Sequence, residues 1–171
     1  MHKNQTREVQ MSIIRRLSEL LPKSSWWIAG GWAIDALLGK SRDQNDIDIY
    51  VLEENISSAI KAMPFLHLRS LSRENNFFVE RRIVETEVSP EIPAGTEVSV
   101  WIPKEAMEGP VIEGIPLVTP EFLYLLAQTA FQILSQTRAK EKEVLELLQG
   151  FIDRERLKKI SSAFRYQLKE R

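Results

Sequence analysis

Two adjacent glycines, Gly30-Gly31, stand between the apolar run Trp26-Trp27-Ile28-Ala29 and the helical pattern Trp32-Ala33-Ile34-Asp35-Ala36-Leu37-Leu38-Gly39. A strand that must turn at once into a helix needs positive φ or a close backbone approach at that turn, and glycine supplies both. Soon after comes Asp46-Ile47-Asp48-Ile49. Residues two apart on a strand share a face, so Asp46 and Asp48 project together while Ile47 and Ile49 turn into a core. The turn offers free N–H groups and a helix dipole to an anion, and the aspartates offer hard oxygens to a divalent cation. A nucleoside triphosphate with its metal asks for both. Each half also has a plainer reading. The glycines serve a tight turn, and the aspartates line a polar strand face paired to Arg or Lys. On these residues alone both readings stand.

The rest of the chain reads as α+β. Residues 6–21 carry Val9, Ile13, Leu17, Leu20 and Leu21 at helical spacing, ended by Pro22. Residues 26–29 form a short buried strand, and 33–38 a helix that Gly39 caps. Residues 46–52 alternate as a half-buried strand. A helix over 55–63, capped by Asn55 or Ser57, precedes three β stretches at 65–71, 76–88 and 96–102, with turns such as 89–95 between them. Residues 107–114 read as a loop. Thr119-Pro120-Glu121 is a helix start, with Thr as cap, Pro at the first position and an acid in the first turn. From there to Arg171 the pattern predicts three helices, broken near residues 135–137 and Gly150. Leu123, Leu126, Ile133, Leu134, Leu145 and Leu148 are core by spacing. This order excludes a doubly wound parallel sheet and predicts an α/β core over 1–116 with a helical subdomain over 117–171.

Composition narrows the partners. The chain has 171 residues, 43% hydrophobic and 27% charged, with net charge −1. That is ordinary for a globular domain and supplies no field to attract nucleic acid. It has no cysteine, which removes disulfides, thiolate metal sites and cysteine nucleophiles. Its two histidines, His2 and His67, are far apart in sequence, which argues against a histidine-rich metal site. No apolar run reaches a membrane-spanning length and the polar start is no signal peptide, so no membrane partner and a cytoplasmic location are expected.

Taken together, the string resembles the antibiotic nucleotidyltransferases of the DNA polymerase beta superfamily, above all the aminoglycoside and lincosamide adenylyltransferases. Their signature is an apolar strand, Gly-Gly-Trp-x-x-Asp, a short helix ending in Gly, then Arg-x-His-x-Asp-x-Asp. Here it stands as Gly30-Gly31-Trp32-Ala33-Ile34-Asp35, Gly39, then Arg42-Asp43-Gln44-Asn45-Asp46-Ile47-Asp48. Gly114-Ile115-Pro116-Leu117-Val118-Thr119-Pro120-Glu121-Phe122-Leu123 is similar to the family's entry into its helical part. The likeness runs over residues 26–148 and is dense over 26–51 and 114–126.

The resemblance implies a nucleotidyltransferase fold: a mixed sheet flanked by helices, with a C-terminal helical part. It implies that Gly30 and Gly31 cradle the triphosphate (ATP for an adenylyltransferase) and that Asp46 and Asp48 are the catalytic carboxylates that hold magnesium. Arg42 either neutralises phosphate charge or makes a surface salt bridge. Asp35 and Trp32 read as structural. The sequence departs from the pattern twice. Gln44 stands where the family has His. On the later strand that should carry a third acid and a His, the register gives Ser99 and Trp101. Glu97, two residues away on the same face, is then the candidate third carboxylate, with Glu85 and Glu87 behind it; each also reads as a solvated strand residue. Lys140 or Lys142 could reach phosphate, although Arg138, Lys140, Lys142, Lys158 and Lys159 with Glu141, Glu143 and Glu146 read first as salt-bridged helix faces.

The function so implied is magnesium-dependent transfer of a nucleoside monophosphate from a nucleoside triphosphate to a hydroxyl of a small, aminoglycoside- or lincosamide-like acceptor. An acidic middle segment (Glu80, Glu85, Glu87, Glu91, Glu97) suits a cationic acceptor. Two alternatives follow from the missing acid and from the superfamily. One is a degenerate member that binds nucleotide or a partner without turnover. The other is a toxin-type member that modifies protein or transfer RNA, the RNA version being disfavoured by the near-neutral charge.

Overall fold

The structure is a computed structural model that describes residues 7–42, 44, 46–62, 66–133 and 139–170. Its contacts gather into two compact units, Met1–Leu71 with Met107–Thr119, and Ser72–Ala106 with Pro120–Arg171.

In the first unit, helix α1 (Arg7–Leu20) buries Gln10, Ile14 and Leu17. Val9 and Leu20, read as inward from spacing, are exposed, and Gln10 takes an inward place with both ends of its amide hydrogen-bonded. Strand β1 (Trp26–Ile28) runs antiparallel to β2 (Ile47–Leu52), with Ile28 opposite Ile49. Helix α2 (Gly30–Leu38) follows β1 directly and closes on Gly39 in the left-handed conformation, φ 63°. Helix α3 (Ile56–Ala62) carries the chain from β2 to β3 (Leu66–Glu74), which lies parallel to β2 as the helical crossover allows. The sheet of this unit is therefore mixed. Strand β2 is buried at every position but Asp48, more than the expected half, because it is paired on both edges and packs with α2 and α3. The expected loop at 107–114 contains the start of a small hairpin, β6 (Val111–Ile112) and β7 (Ile115–Pro116). Its two turn residues, Glu113 and Gly114, both take positive φ, which is the type I′ solution. Val118 N–H then donates to the Ile28 carbonyl at 3.1 Å and ties the segment to β1.

In the second unit, β3 continues from Ser72 and pairs antiparallel with β4 (Phe77–Ile83), which pairs antiparallel with β5 (Glu97–Pro103). Strand β4 stops at Ile83, short of the expected 88, so Glu85 and Glu87 stand exposed in the turn beyond it rather than on a strand face. Val84, Ile92 and Val98 form a small apolar cluster under that turn. Helices α4 (Pro120–Ile133), α5 (Ala139–Leu148) and α6 (Arg154–Ala163) pack together, and Phe122, Leu148 and Ile160 are fully buried. The start at Pro120 is as expected, and Glu121 in its first turn is buried, accepting the Asp153 N–H at 2.9 Å. Leu123 and Leu148 are core as expected. Leu126 and Leu145 are half-buried, and Leu125 takes an inward position instead. Lys159 of α6 pairs with Glu105, just beyond the end of β5.

The chain does not stay helical to its end. Phe164 leaves α6 with ψ 135°, and Arg165–Lys169 form β8, antiparallel to β5. A further helical turn would leave the β5 edge unpaired, whereas the strand completes its ladder. Arg165 also lies over Trp101 at 4.8 Å and Phe77 at 5.5 Å, which fixes where β8 begins. The side chains of Ile133, Leu134, Arg138 and Lys140, the break near residues 135–137, and His2 lie outside what is described. Among the described residues no helix is long and apolar enough to cross a membrane.

Candidate active site

The site is built on the first unit, where β1 ends beside β2. Ala29 N–H donates to the Asp48 carbonyl at 2.9 Å, so the chain enters the glycine turn already pinned to the Asp48 backbone. Gly30 sits at φ +61°. A Cβ there would be driven into Asp48 Oδ2, and would lie only 3.1 Å from Cγ. At Gly31 a Cβ would collide with the Gln44 amide, at 2.6 Å from Cδ. The two glycines therefore admit two specific side chains, one aspartate and one amide, against the first turn of α2. Residue 29 is alanine and itself gives that turn no side-chain cap; the first N–H groups of a helix favour an anion.

Alanine at position 30 is expected to destabilise the protein by about 1–2 kcal/mol through the left-handed backbone alone. It also displaces the Asp48 carboxylate. Thermal unfolding reads the first effect, and weakened divalent-metal binding by calorimetry reads the second.

Parallel pairing sets Asp48 beside His67. The two side chains meet, with His67 Nδ1 2.7 Å from Asp48 Oδ1. Asp46 lies one residue ahead of β2 and turns to the same place. Asp46, Asp48 and His67 each offer one ligand atom, and all three atoms lie within 4.8 Å of one another. Close carboxylates repel unless a positive group lies between them. Two hard oxygens and an imidazole nitrogen form a donor set that fits a divalent cation, and the cradle that Gly30 leaves open for Asp48 fits the same purpose.

Asp35 holds Arg42 and Gln44 ahead of Asp46. Its side chain is fully buried. Arg42 donates from Nε and Nη2 to Asp35 Oδ1, each at 2.7 Å, and Gln44 Nε2 donates to Oδ2 at 2.8 Å. Arg7 stands 3.9 Å from Oδ2, donates to the backbone carbonyls of Arg42 and Lys40, and lies 4.3 Å from the centre of the Trp32 ring. Trp32 Nε1 donates to Gln10 Oε1 at 3.0 Å, and Gln10 Nε2 donates to the Gln44 carbonyl at 2.7 Å. The structural reading of Asp35 and Trp32 matches this network. Of the two readings of Arg42, the ion pair is the contact formed, to a buried partner rather than a surface one. Gln44, standing where the resemblance has His, anchors Asp35 and abuts Gly31.

Glu97 opens β5 in the second unit, partly buried and opposite Ile83 and Lys169, with Ser99 two positions on opposite Arg81 and Gln167. Sequence reasoning missed His67. The signal was available: a single histidine between Leu66 and Leu68, at the start of the strand that follows the Asp-x-Asp strand through a helix, is where parallel pairing would bring it alongside.

The family described as aminoglycoside-2''-adenylyltransferase matches residues 11–81, a stretch that holds Gly30, Gly31, Asp46, Asp48 and His67 and ends before Glu97. The solution structure of the antibiotic-resistance factor ANT(2'')-Ia is similar over 91% of each chain, at 19% identity and a TM-score of 0.52. The chain has a nucleotidyltransferase fold and resembles the antibiotic nucleotidyltransferases. The lincomycin-bound crystal structure of the lincosamide antibiotic adenylyltransferase LnuA gives the same fold over 88% of this chain and 100% of that one, at 15% identity and a TM-score of 0.53. No curated protein matches the sequence. Within that fold, the matched stretch contains the whole of the Asp46–Asp48–His67 cluster and the turn that abuts it.

Proposed function

We propose that this chain is a nucleotidyltransferase that moves a nucleoside monophosphate from a nucleoside triphosphate to a hydroxyl of a small aminoglycoside- or lincosamide-like acceptor. The observation that carries the reading is the packing of Asp48 against Gly30: metal ligand and phosphate turn are one structure, joined with no room for a methyl group. The family match over the same residues supports it. Gly30 and Gly31 present the first turn of α2 to the triphosphate. Arg42, anchored on Asp35 yet 41% exposed, adds positive charge at the same segment. Asp46 and Asp48 would hold a divalent ion, magnesium by this reading, which neutralises triphosphate charge when bound.

The acceptor oxygen attacks the α-phosphorus in line and forms the new P–O bond. The bond from that phosphorus to the bridging oxygen breaks, and pyrophosphate leaves with its electron pair. The hydroxyl proton passes to a base, for which Glu97 is the assigned carboxylate. Of the acidic residues of the second unit, the exposed Glu85, Glu87 and Glu91 and the partly buried Glu97 suit a cationic acceptor, whereas Glu80 is buried and paired with Arg82. A cytoplasmic location belongs to the same reading.

The test is product mass. Purified protein incubated with nucleoside triphosphates, magnesium and a panel of aminoglycosides and lincosamides yields an acceptor heavier by one nucleoside monophosphate. No mass gain on any acceptor contradicts the reading. For the base, Glu97→Gln is expected to lower kcat by about 100-fold or more with triphosphate affinity unchanged. An unchanged kcat removes Glu97 from the mechanism and leaves the rest in place.

A further inference from the structure

We propose that His67 is the third protein ligand of the Asp46–Asp48 metal site, and that it makes this site prefer a nitrogen-accepting divalent transition metal over magnesium. The inference rests on the proposed function only in assigning a metal to Asp46 and Asp48. Three facts carry it. The register of the parallel pair sets His67 directly beside Asp48. Its Nδ1, not its outer Nε2, is the atom turned to the carboxylate, 2.7 Å from Oδ1. Asp46, from the segment before β2, brings its oxygen within 4.8 Å of both.

Without metal, the 2.7 Å contact is the hydrogen bond that Nδ1–H donates to Asp48 Oδ1. In the tautomer with its hydrogen on Nε2, which a bound metal selects, the same placement turns the Nδ1 lone pair toward the point the two carboxylate oxygens share. Magnesium favours oxygen donors and keeps its waters, so it gains little from such a nitrogen. Imidazole suits later first-row ions, whose affinity rises from manganese towards copper. One histidine therefore biases the metal without altering the two aspartates. The imidazole is also half in solvent, 56% exposed at the side chain, so it carries little of the fold and can be replaced without unfolding the unit.

Cobalt(II) is the probe, because it reports ligation directly. Binding of Co(II) and of Mg(II) is measured by calorimetry without nucleotide, on the full chain and on His67→Asn and Asp48→Asn. Proton spectra of the Co(II) forms are recorded alongside. The expected result is Co(II) affinity lowered about tenfold or more by His67→Asn, with Mg(II) affinity little changed. Hyperfine-shifted imidazole resonances appear in the unmodified protein and vanish in His67→Asn. Equal Co(II) affinity in His67→Asn, or no shifted imidazole signal in the unmodified protein, overturns the proposal and leaves the proposed function untouched. Retention of both metals by Asp48→Asn overturns the reading beneath it instead.

Discussion

Asp48→Asn is expected to abolish nucleotidyl transfer, by about 1000-fold or more, in a protein that folds as before. The asparagine keeps the shape of the side chain, so the close fit against Gly30 survives. It loses the negative charge that, with Asp46, would attract the proposed cation. Stability in metal-free buffer stays within about 0.5 kcal/mol of the parent, since the change relieves repulsion between neighbouring acids while weakening one contact to His67. The separation of the two effects is the informative part. A ligand that binds only the native state raises the melting temperature by mass action, so added divalent metal should stabilise the parent and not the variant. If Asp48→Asn melts early even without metal, Asp48 serves the fold rather than the chemistry.

Asp35→Ala should behave in the opposite way, as a stability defect. Asp35 is fully buried and is the common acceptor for Arg42 and Gln44, with Arg7 close by. Removing the carboxylate leaves those donors without their partner and a small void beside α2. A fully buried pair broken in this way costs more, but the Arg42 side chain is 41% exposed and regains water. The expected loss is about 2–3 kcal/mol. In a chain of this size that lowers the melting temperature by about 5–10 °C. Activity should fall as well, because Arg42 and Gln44, just ahead of Asp46, lose their anchor on Asp35. Asp35→Asn is the control: an amide restores the shape but sets an NH2 against donors, so it recovers only part of the stability. Full recovery would mean that the void, and not the ion pair, accounts for the loss.

Much of the first unit was legible from the residues. Gly39 as a left-handed cap and the inward turn of Ile47 and Ile49 follow from local chemistry that tertiary packing did not overrule, as does Pro120 as a helix start in the second unit. The purpose of the glycines was only half legible. Positive φ at Gly30 is a local property, but the reason no Cβ fits is Asp48, brought there by the antiparallel pairing of β1 with β2. His67 escaped for the same reason. Its distance along the chain from Asp48 says nothing once parallel strands set them side by side. The end of the chain escaped for a third reason. Arg165–Lys169 is short and charged enough to extend a helix, and only the open edge of β5 with the Trp101 and Phe77 rings draws it into a strand. Non-local pairing, in each case, carried information that spacing along the chain does not hold.

The Asp46–Asp48 pair and the glycine turn are proposed to act together in transferring a nucleotide. The most direct measurement uses nucleoside triphosphate labelled at the α-phosphate, with divalent metal and a cationic small-molecule acceptor, following label and pyrophosphate together in the parent chain and in Asp48→Asn. The expected result is label on the acceptor with pyrophosphate released in equal amount by the parent, and neither from Asp48→Asn. Label transferred equally well by Asp48→Asn, or triphosphate bound by the parent with neither label nor pyrophosphate appearing for any acceptor, would contradict it.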